Sequence, residues 1–154
     1  MKKIISAVLF SASIVICPIS FAAPLISSYQ QLLTTLKQGD EVRAILNLAQ
    51  CTGQDAKSPQ VIGGMNFTQF NQHQIKHNDE LVPVIATSIN MLVESAQYGH
   101  AYNYVRLRIF ENNTAEVVSA FLNAKDFSVY KQTTFQCQLS NDKQEKGITL
   151  YQIT

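Results

Sequence analysis

The sequence lacks an excess of either charge and, beyond its first residues, any long hydrophobic run. Twelve Lys and Arg side chains stand against eleven Asp and Glu, and setting Lys2 and Lys3 aside leaves the two signs nearly balanced. Nucleic acids and anionic membranes select proteins with a basic excess. A membrane-spanning helix needs about 20 consecutive apolar residues, which no stretch after residue 22 supplies. We therefore expect no nucleic-acid partner and, once the N-terminal segment is removed, no membrane association.

The sequence also lacks the familiar motifs of catalysis. It contains no Gly-x-Ser-x-Gly, no Cys-x-x-Cys and no His-Glu-x-x-His, the patterns typical of serine hydrolases, dithiol oxidoreductases and zinc proteases. His73 and His77 have the i, i+4 spacing that brings two metal ligands together on a helix, but the surrounding Asn71, Asn78 and Asp79 favour an exposed loop. We expect no catalytic residues and no cofactor. A metal-dependent hydrolase built on His73, His77 and Asp79 is kept as an alternative.

An export signal opens the chain. Lys2 and Lys3 precede an apolar run over residues 4–17, and Ser-Phe-Ala at residues 20–22 fits the small-x-small pattern of a cleavage site. We predict a signal peptide over residues 1–22, a single domain over residues 23–154, and a periplasmic or secreted location.

Cleavage of that signal leaves two of the three cysteines, Cys51 and Cys137. Oxidising compartments favour disulfides, and an even pair of cysteines in an exported domain is most simply explained by one bond. We therefore predict a disulfide between Cys51 and Cys137 that joins an early and a late segment of the chain.

Residues 28–39 carry the start and stop patterns of a helix. Ser28 and Gln31 form a Ser-x-x-Gln capping box, and Gly39 takes the place of a C-terminal glycine. Between them, apolar side chains recur at i, i+3, i+4 and i+7, namely Tyr29, Leu32, Leu33 and Leu36. This single stripe predicts a helix that packs on a sheet.

Most of the remaining chain is predicted to be β-structure. Period-two alternation, β-branched content and turn residues indicate strands over residues 41–48, 61–70, 81–93, 104–111, 114–122, 127–139 and 148–153. Residues 81–93 also show helical spacing, but Pro83 favours a strand. Residues 52–60 and 71–80 are expected to be loops, Gly63-Gly64 a bulge or a close backbone approach, and Asn112-Asn113 a hairpin turn. The fold class is mainly β (α+β): an antiparallel curled sheet or small barrel of about six to seven strands with one N-terminal helix packed on it. A small sandwich is the alternative arrangement of the same strands.

Two segments resemble the VirK family of exported proteins from Gram-negative bacteria. One is the leucine-rich helix with Leu36-Lys37-Gln38-Gly39, followed by the strand over residues 42–48 and Cys51-Thr52; the other is Phe135-Gln136-Cys137. The resemblance implies a virulence-associated protein, supplies no catalytic residue, and assigns Cys51 and Cys137 to a disulfide. The Asn112-Asn113 turn departs from the glycine-rich turn that family members often have.

Aromatic residues supply the candidate binding surface, which comprises Tyr98, Tyr102, Tyr104, Phe67 and Phe70. Exposed tyrosines suit binding sites, although cross-strand packing pairs are the plainer interpretation. We expect a monomeric accessory or binding protein that contacts a protein partner, bacterial or host, through this β-surface. The alternative is a small-ligand carrier with an apolar pocket in a barrel-like sheet, lined by Phe67, Phe70, Tyr104 and Phe121.

Overall fold

The computed structural model describes residues 23–53, 60–77 and 79–153, so the predicted signal peptide lies outside the described residues. Those residues form ten β-strands and one α-helix. In chain order the elements are β1 (Leu25–Ile26), α1 (Tyr29–Gln38), β2 (Glu41–Asn47), β3 (Thr52–Gly53), β4 (Ile62–Asn66), β5 (Asn71–His77), β6 (Glu80–Ser95), β7 (Gly99–Phe110), β8 (Thr114–Asn123), β9 (Val129–Gln138) and β10 (Ile148–Ile153). A 3₁₀ turn over Leu48–Gln50 separates β2 from β3.

The strands form two open antiparallel sheets. The four-stranded sheet has the order β1-β10-β2-β4, and the six-stranded sheet has the order β3-β9-β8-β7-β6-β5. The prediction of a mainly β, antiparallel fold with one helix is confirmed. The prediction of a single curled sheet or small barrel of six to seven strands is wrong, because β1, β2, β4 and β10 pair among themselves and leave the other strands to form a second layer.

The helix begins and ends where its caps predict. The Ser28 hydroxyl accepts a hydrogen bond from the Gln31 N–H at 3.2 Å, and Gly39 ends the helix in the left-handed conformation at φ 87°. The Gln31 side chain accepts from the Ser27 N–H at 3.0 Å, one residue before the position a capping box would use. The Tyr29 N–H donates to the Asn113 side chain at 2.7 Å, which places the start of α1 beside the β7–β8 turn.

The hydrophobic core lies between the two sheets and α1. Alternate residues of β2 are buried, and they face alternate residues of β10 across the ladder, such as Ala44 opposite Leu150. The six-stranded sheet contributes the residues of its inner face, and α1 contributes Tyr29, Leu32 and Leu36. The fully buried residues of that inner face include Ile85, Leu107, Ile109, Ala115 and Val117.

The predicted disulfide joins the two sheets. Cys51 follows the 3₁₀ turn that leaves the four-stranded sheet, and Cys137 lies in β9 of the six-stranded sheet, with their Cα atoms 4.6 Å apart. Gly147 packs against the bond: a Cβ atom there would lie 2.4 Å from the Cys51 Sγ atom. Packing against the Cys51 sulfur therefore requires a glycine at residue 147. Backbone conformation does not, because the φ of Gly147 is outside the left-handed region.

Two predictions about polar or glycine-rich segments are wrong. The sequence predicts a loop over residues 71–80, but residues 71–77 form β5, the edge strand of the six-stranded sheet. A largely exposed edge strand buries little of either face, so its sequence shows little apolar alternation. Gly63-Gly64 forms no bulge, because the β2–β4 ladder continues through both residues without a shift. A register shift occurs instead in the β8–β9 pairing, between Phe121 and Leu122.

The other strand predictions agree with the structure to within a few residues, and residues 81–93 are a strand. Within the predicted loop over residues 52–60, Thr52–Gly53 form β3, and residues 54–59 lie outside the described residues. The predicted turn at Asn112-Asn113 is present, with Asn113 at φ 63°.

Candidate binding surfaces of the six-stranded sheet

The six-stranded sheet has two ends with different surroundings. The helix-proximal end contains the β7–β8 turn, which touches the start of α1. The free end, as we call it, contains the β6–β7 turn over residues 96–98 and the β8–β9 turn over residues 124–128. Strands β6 and β7 have 16 and 12 residues, whereas β2 and β10 have 7 and 6. Strands β6 and β7 therefore exceed the strands of the facing sheet by several residues.

A row of apolar side chains crosses the outer face of the sheet at the free end. The pairing aligns Leu92 with Tyr102, Tyr102 with Leu122, and Leu122 with Val129. Leu92 and Val129 are each 58% exposed, as is Phe127, whose ring stacks on Tyr102 at a centroid distance of 5.5 Å. We call these five residues the free-end patch.

Phe127 is held in an unusual conformation by the β8–β9 turn. Its φ is 59°, and left-handed backbone is rare for a bulky aromatic residue. The Phe127 N–H donates to the Asn123 carbonyl at 3.0 Å, and the Asn123 N–H donates to the Ser128 carbonyl at 2.8 Å. The turn thereby displays an exposed aromatic ring at the edge of the free-end patch.

The Asp126 carboxylate ties the same turn. It accepts hydrogen bonds from the Ser128 hydroxyl at 2.7 Å and from the Ser128 N–H at 2.9 Å. These bonds favour the ionised form and lower the pKa of Asp126 below its ordinary value of 3.8.

The structure does not bring the five predicted aromatic residues together. Tyr102 and Tyr104 lie on the outer face, and Phe70 lies beside Tyr104. Tyr98 lies in the β6–β7 turn, stacked on Tyr130 at 4.8 Å and 5.6 Å from Phe121. Phe67 is buried in the core, 4% exposed, so it is no part of a surface.

A polar pocket of about 460 Å³ lies on the outer face next to Tyr104. Arg106 and Arg108 project into it from β7, and both donate to the same Glu116 oxygen, each at 3.2 Å. The pocket, which we call the arginine pocket, is also lined by Gln69, Phe70, Asn71, His73, Ala86, Thr87 and Ser88. The Nε atoms of both arginines are buried without a hydrogen-bond partner.

A third feature is an apolar cleft between the sheets, on the inner face. Its deeper part measures about 170 Å³ and is lined mainly by aliphatic residues, and an adjoining part of about 320 Å³ extends to Phe121 and Lys131. The lining shared by both parts is Leu48, Val61, Asn103 and Ser119. We call this the inter-sheet cleft. The apolar pocket predicted from Phe67, Phe70, Tyr104 and Phe121 does not form, because these residues lie in the core, on the outer face and in this cleft.

The two histidines proposed as metal candidates lie on a strand. His73 is an exposed residue of β5 and His77 ends that strand. Positions four apart on a strand are separated by about 13 Å along it, whereas the same spacing on a helix would bring them together. Among the described residues, no group of three His, Cys, Asp or Glu is placed to hold a metal ion.

Within residues 23–53, 60–77 and 79–153, no helix has the length and apolar character needed to cross a bilayer. The Cys51–Cys137 bond is compatible with an oxidising, extracytoplasmic location.

Comparison with known proteins defines the class and then the family. The fold matches the crystal structure of a VirK family protein from Legionella pneumophila with a TM-score of 0.67 and 14% sequence identity, covering 84% of this chain and 99% of that one. At that identity the match shows a shared two-sheet fold. The sequence model of the VirK protein family matches residues 25–127, and the chain therefore belongs to the VirK family. No curated protein sequence matches the chain. Family membership supports a virulence-associated role.

Sequence reasoning missed the arginine pocket and the inter-sheet cleft. The alternation of Arg106 and Arg108 with Leu107 and Ile109 indicates that the two arginines lie on the face opposite the core, but only the strand register places Glu116 opposite Arg108. The one indication of the cleft in the sequence is Gly63. Because this residue has no side chain and lies opposite buried Leu46, it leaves space between the two sheets.

Proposed function

We propose that this protein is an exported binding protein without catalytic activity that engages a protein partner through the free-end patch. The observation that carries the proposal is the apolar row formed by Leu92, Tyr102, Leu122 and Val129 on the outer face. Both ends of the row are largely exposed, and so is the Phe127 ring that stacks on its tyrosine. Contiguous exposed apolar surface is unusual on a monomeric protein and marks interaction sites.

The conformation of Phe127 supports the same surface. A left-handed residue other than glycine costs of order 1–3 kcal/mol and persists where the surrounding structure fixes it, often at functional sites. Here hydrogen bonds from both ends of the turn hold an aromatic ring over Tyr102 and largely in solvent. Rigid aromatic residues are typical anchors of protein interfaces.

Site-resolved cross-linking in the producing bacterium tests the proposal. A photoreactive amino acid is placed at Leu92 or Val129 in the patch, and at Leu81 as the matched control. Leu81 is also apolar and is 68% exposed, but it lies at the helix-proximal end of β6. We expect a discrete protein adduct from residues 92 and 129 and none from residue 81. Adducts of equal yield at all three positions would contradict the proposal. The absence of adducts at residues 92 and 129 in bacteria that produce the protein would contradict it as well.

Phe127→Asn supplies an independent variant. Asn tolerates the left-handed region better than Phe, so the fold should retain its thermal stability while the aromatic anchor is lost. The adduct from residue 92 should then fall at least tenfold. An unchanged adduct would show that the displayed ring has no part in binding.

The inter-sheet cleft favours a second candidate function, the carriage of a small apolar ligand. Its deeper part lies between the two sheets and is lined by Leu46, Val61, Ile89, Met91 and Val105, among others. The Asn103 side-chain oxygen, which also lies there, is buried without a hydrogen-bond partner. An apolar molecule that carries one hydrogen-bond donor fits both properties.

Two neighbouring glycines give a matched test of that candidate. Both glycines line the cleft with their backbone. A side chain at Gly63, which pairs with buried Leu46, would enter the cleft, whereas one at Gly64, which pairs with Ile45, would point to the other side of the sheet. A Cβ atom at either position meets nothing closer than 3.7 Å. Gly63→Val should abolish binding of a fluorescent apolar probe, 1-anilinonaphthalene-8-sulfonate, while Gly64→Val retains it. Equal probe binding by the two variants would reject the cleft as a ligand site.

A further inference from the structure

The arginine pocket contains an imbalance of charge. Arg106 and Arg108 are 31% and 24% exposed at their side chains, and both ion pairs converge on one oxygen of Glu116, which is 20% exposed. Two guanidinium groups therefore share one carboxylate, which leaves one positive charge uncompensated in a half-buried pocket. A charge removed from water is costly unless it is paired.

The donors of the two arginines are also incompletely used. Both contacts to Glu116 measure 3.2 Å, longer than the 2.7–2.9 Å typical of charge-assisted hydrogen bonds. The buried Nε atoms of Arg106 and Arg108 have no partner, although such groups are normally satisfied. A planar guanidinium presents its N–H groups in a fork that matches two oxygens of a carboxylate or phosphate.

The rest of the lining suits a small polar molecule. Gln69, Asn71 and Ser88 offer amide and hydroxyl groups, and the rings of Phe70 and Tyr104 lie at the same pocket. The volume of about 460 Å³ falls within the range of small-molecule sites. We propose that the arginine pocket binds a small polar ligand through an oxyanion, a carboxylate or phosphate group, held by Arg106 and Arg108. This site is distinct from the free-end patch and does not depend on it.

The competing explanation is a cross-strand ion-pair network that only stabilises the sheet. The two explanations differ in the effect of Glu116. If the arginines form an anion site, Glu116 competes with the ligand, and Glu116→Gln should raise affinity for an oxyanion. If the network is only structural, the same substitution should lower stability and create no dependence on a specific anion.

The chain has three arginines, which allows a direct measurement on the wild-type protein. In a ¹⁵N spectrum of arginine Nε–H groups, Arg43 is an internal control, since it lies in β2 and donates to Asn66 instead. Inorganic phosphate and glucuronate are titrated at constant ionic strength, with chloride and uncharged glucose as matched controls. We expect the Arg106 and Arg108 signals to shift saturably with phosphate, glucuronate or both, and the Arg43 signal to stay in place.

Variants complete the test. Arg106→Gln and Arg108→Gln should each weaken binding at least tenfold, Arg43→Gln should leave it unchanged, and Glu116→Gln should strengthen it several-fold. Saturation by phosphate alone would identify a phosphate group as the ligand chemistry, and saturation by glucuronate alone a carboxylate. The proposal is overturned if neither anion moves the two signals in the wild-type spectrum, or if chloride or glucose moves them equally.

Discussion

The two ends of the six-stranded sheet differ in what covers their inner and outer faces. At the helix-proximal end, the four-stranded sheet and α1 cover the inner face, and Leu107, Ile109 and Ala115 have no measurable exposure. On the outer face of the free end, Leu92 and Val129 are each 58% exposed. The same strands thus supply a covered inner face at the helix-proximal end and an exposed apolar surface on the outer face at the free end.

This difference separates stability from binding. Burial of an apolar side chain stabilises a fold by about 1.5–3 kcal/mol, so substitutions at the helix-proximal end should act on unfolding. Leu92, Phe127 and Val129 of the free-end patch are largely exposed to water and contribute little to the stability of the folded state. Substitutions there should act on partner binding and leave unfolding nearly unchanged.

Loss of the disulfide should produce the largest effect, because it fastens the two sheets at the covered end. The loop between Cys51 and Cys137 spans 86 residues, for which the chain-entropy treatment gives about 4–5 kcal/mol as an upper value. Cys51→Ser and Cys137→Ser should each lower the free energy of unfolding in urea by up to that amount. The double variant should lose no more than either single variant. Wild-type stability in either single variant would mean that the bond does not constrain the chain.

A pair of leucine truncations contrasts the covered inner face at the helix-proximal end with the outer face at the free end. Leu107→Ala removes a fully buried side chain from the core and should cost about 2–5 kcal/mol. Leu92→Ala removes a largely exposed side chain and should change stability by less than about 0.5 kcal/mol. Urea unfolding of both variants measures the difference. Similar losses would show that the free end is covered in solution.

Two glycine substitutions compare a tightly packed position beside the disulfide with an open position in β4. Gly147→Ala places a methyl group against the Cys51 sulfur, at 2.4 Å before relaxation, and should cost about 1–3 kcal/mol through overpacking. Gly63→Ala meets only ordinary contacts and should be neutral or stabilising by up to about 1 kcal/mol. Thermal unfolding of the two variants is the measurement, and equal shifts would contradict the packing argument.

The sequence predicts the elements that depend on local patterns and misses those that depend on pairing. α1 and β7 follow from capping residues and strict alternation, which are read within a dozen residues. The division into two sheets requires β10 to pair with β1 and β2, a contact between opposite ends of the chain. β5 escapes notice because an exposed edge strand has no apolar face to reveal it.

The same distinction applies to the candidate sites. Tyr102 was predicted as a surface residue, but its partner Phe127 adopts a left-handed backbone that no local pattern indicates. Alternation within β7 places Arg106 and Arg108 on the face opposite the core, yet their convergence on Glu116 depends on the β7–β8 register. Local periodicity therefore predicts which face a residue occupies, whereas register decides which residues form a site.

The smallest expected effect concerns the pH dependence of the free end. Hydrogen bonds from Ser128 lower the pKa of the Asp126 carboxyl in the folded protein. The ionised form therefore stabilises the β8–β9 turn at pH values above the ordinary pKa of 3.8, and this contribution is lost as the pH falls through the lower folded-state pKa. The Ser128 amide resonance should titrate with a midpoint below 3.8, and Asp126→Asn should abolish that titration. The Phe127 ring should leave Tyr102 over the same pH range, while the resonances of Leu107 and Ile109 stay unchanged. A midpoint at or above 3.8 would show that the carboxylate does not tie the turn in solution.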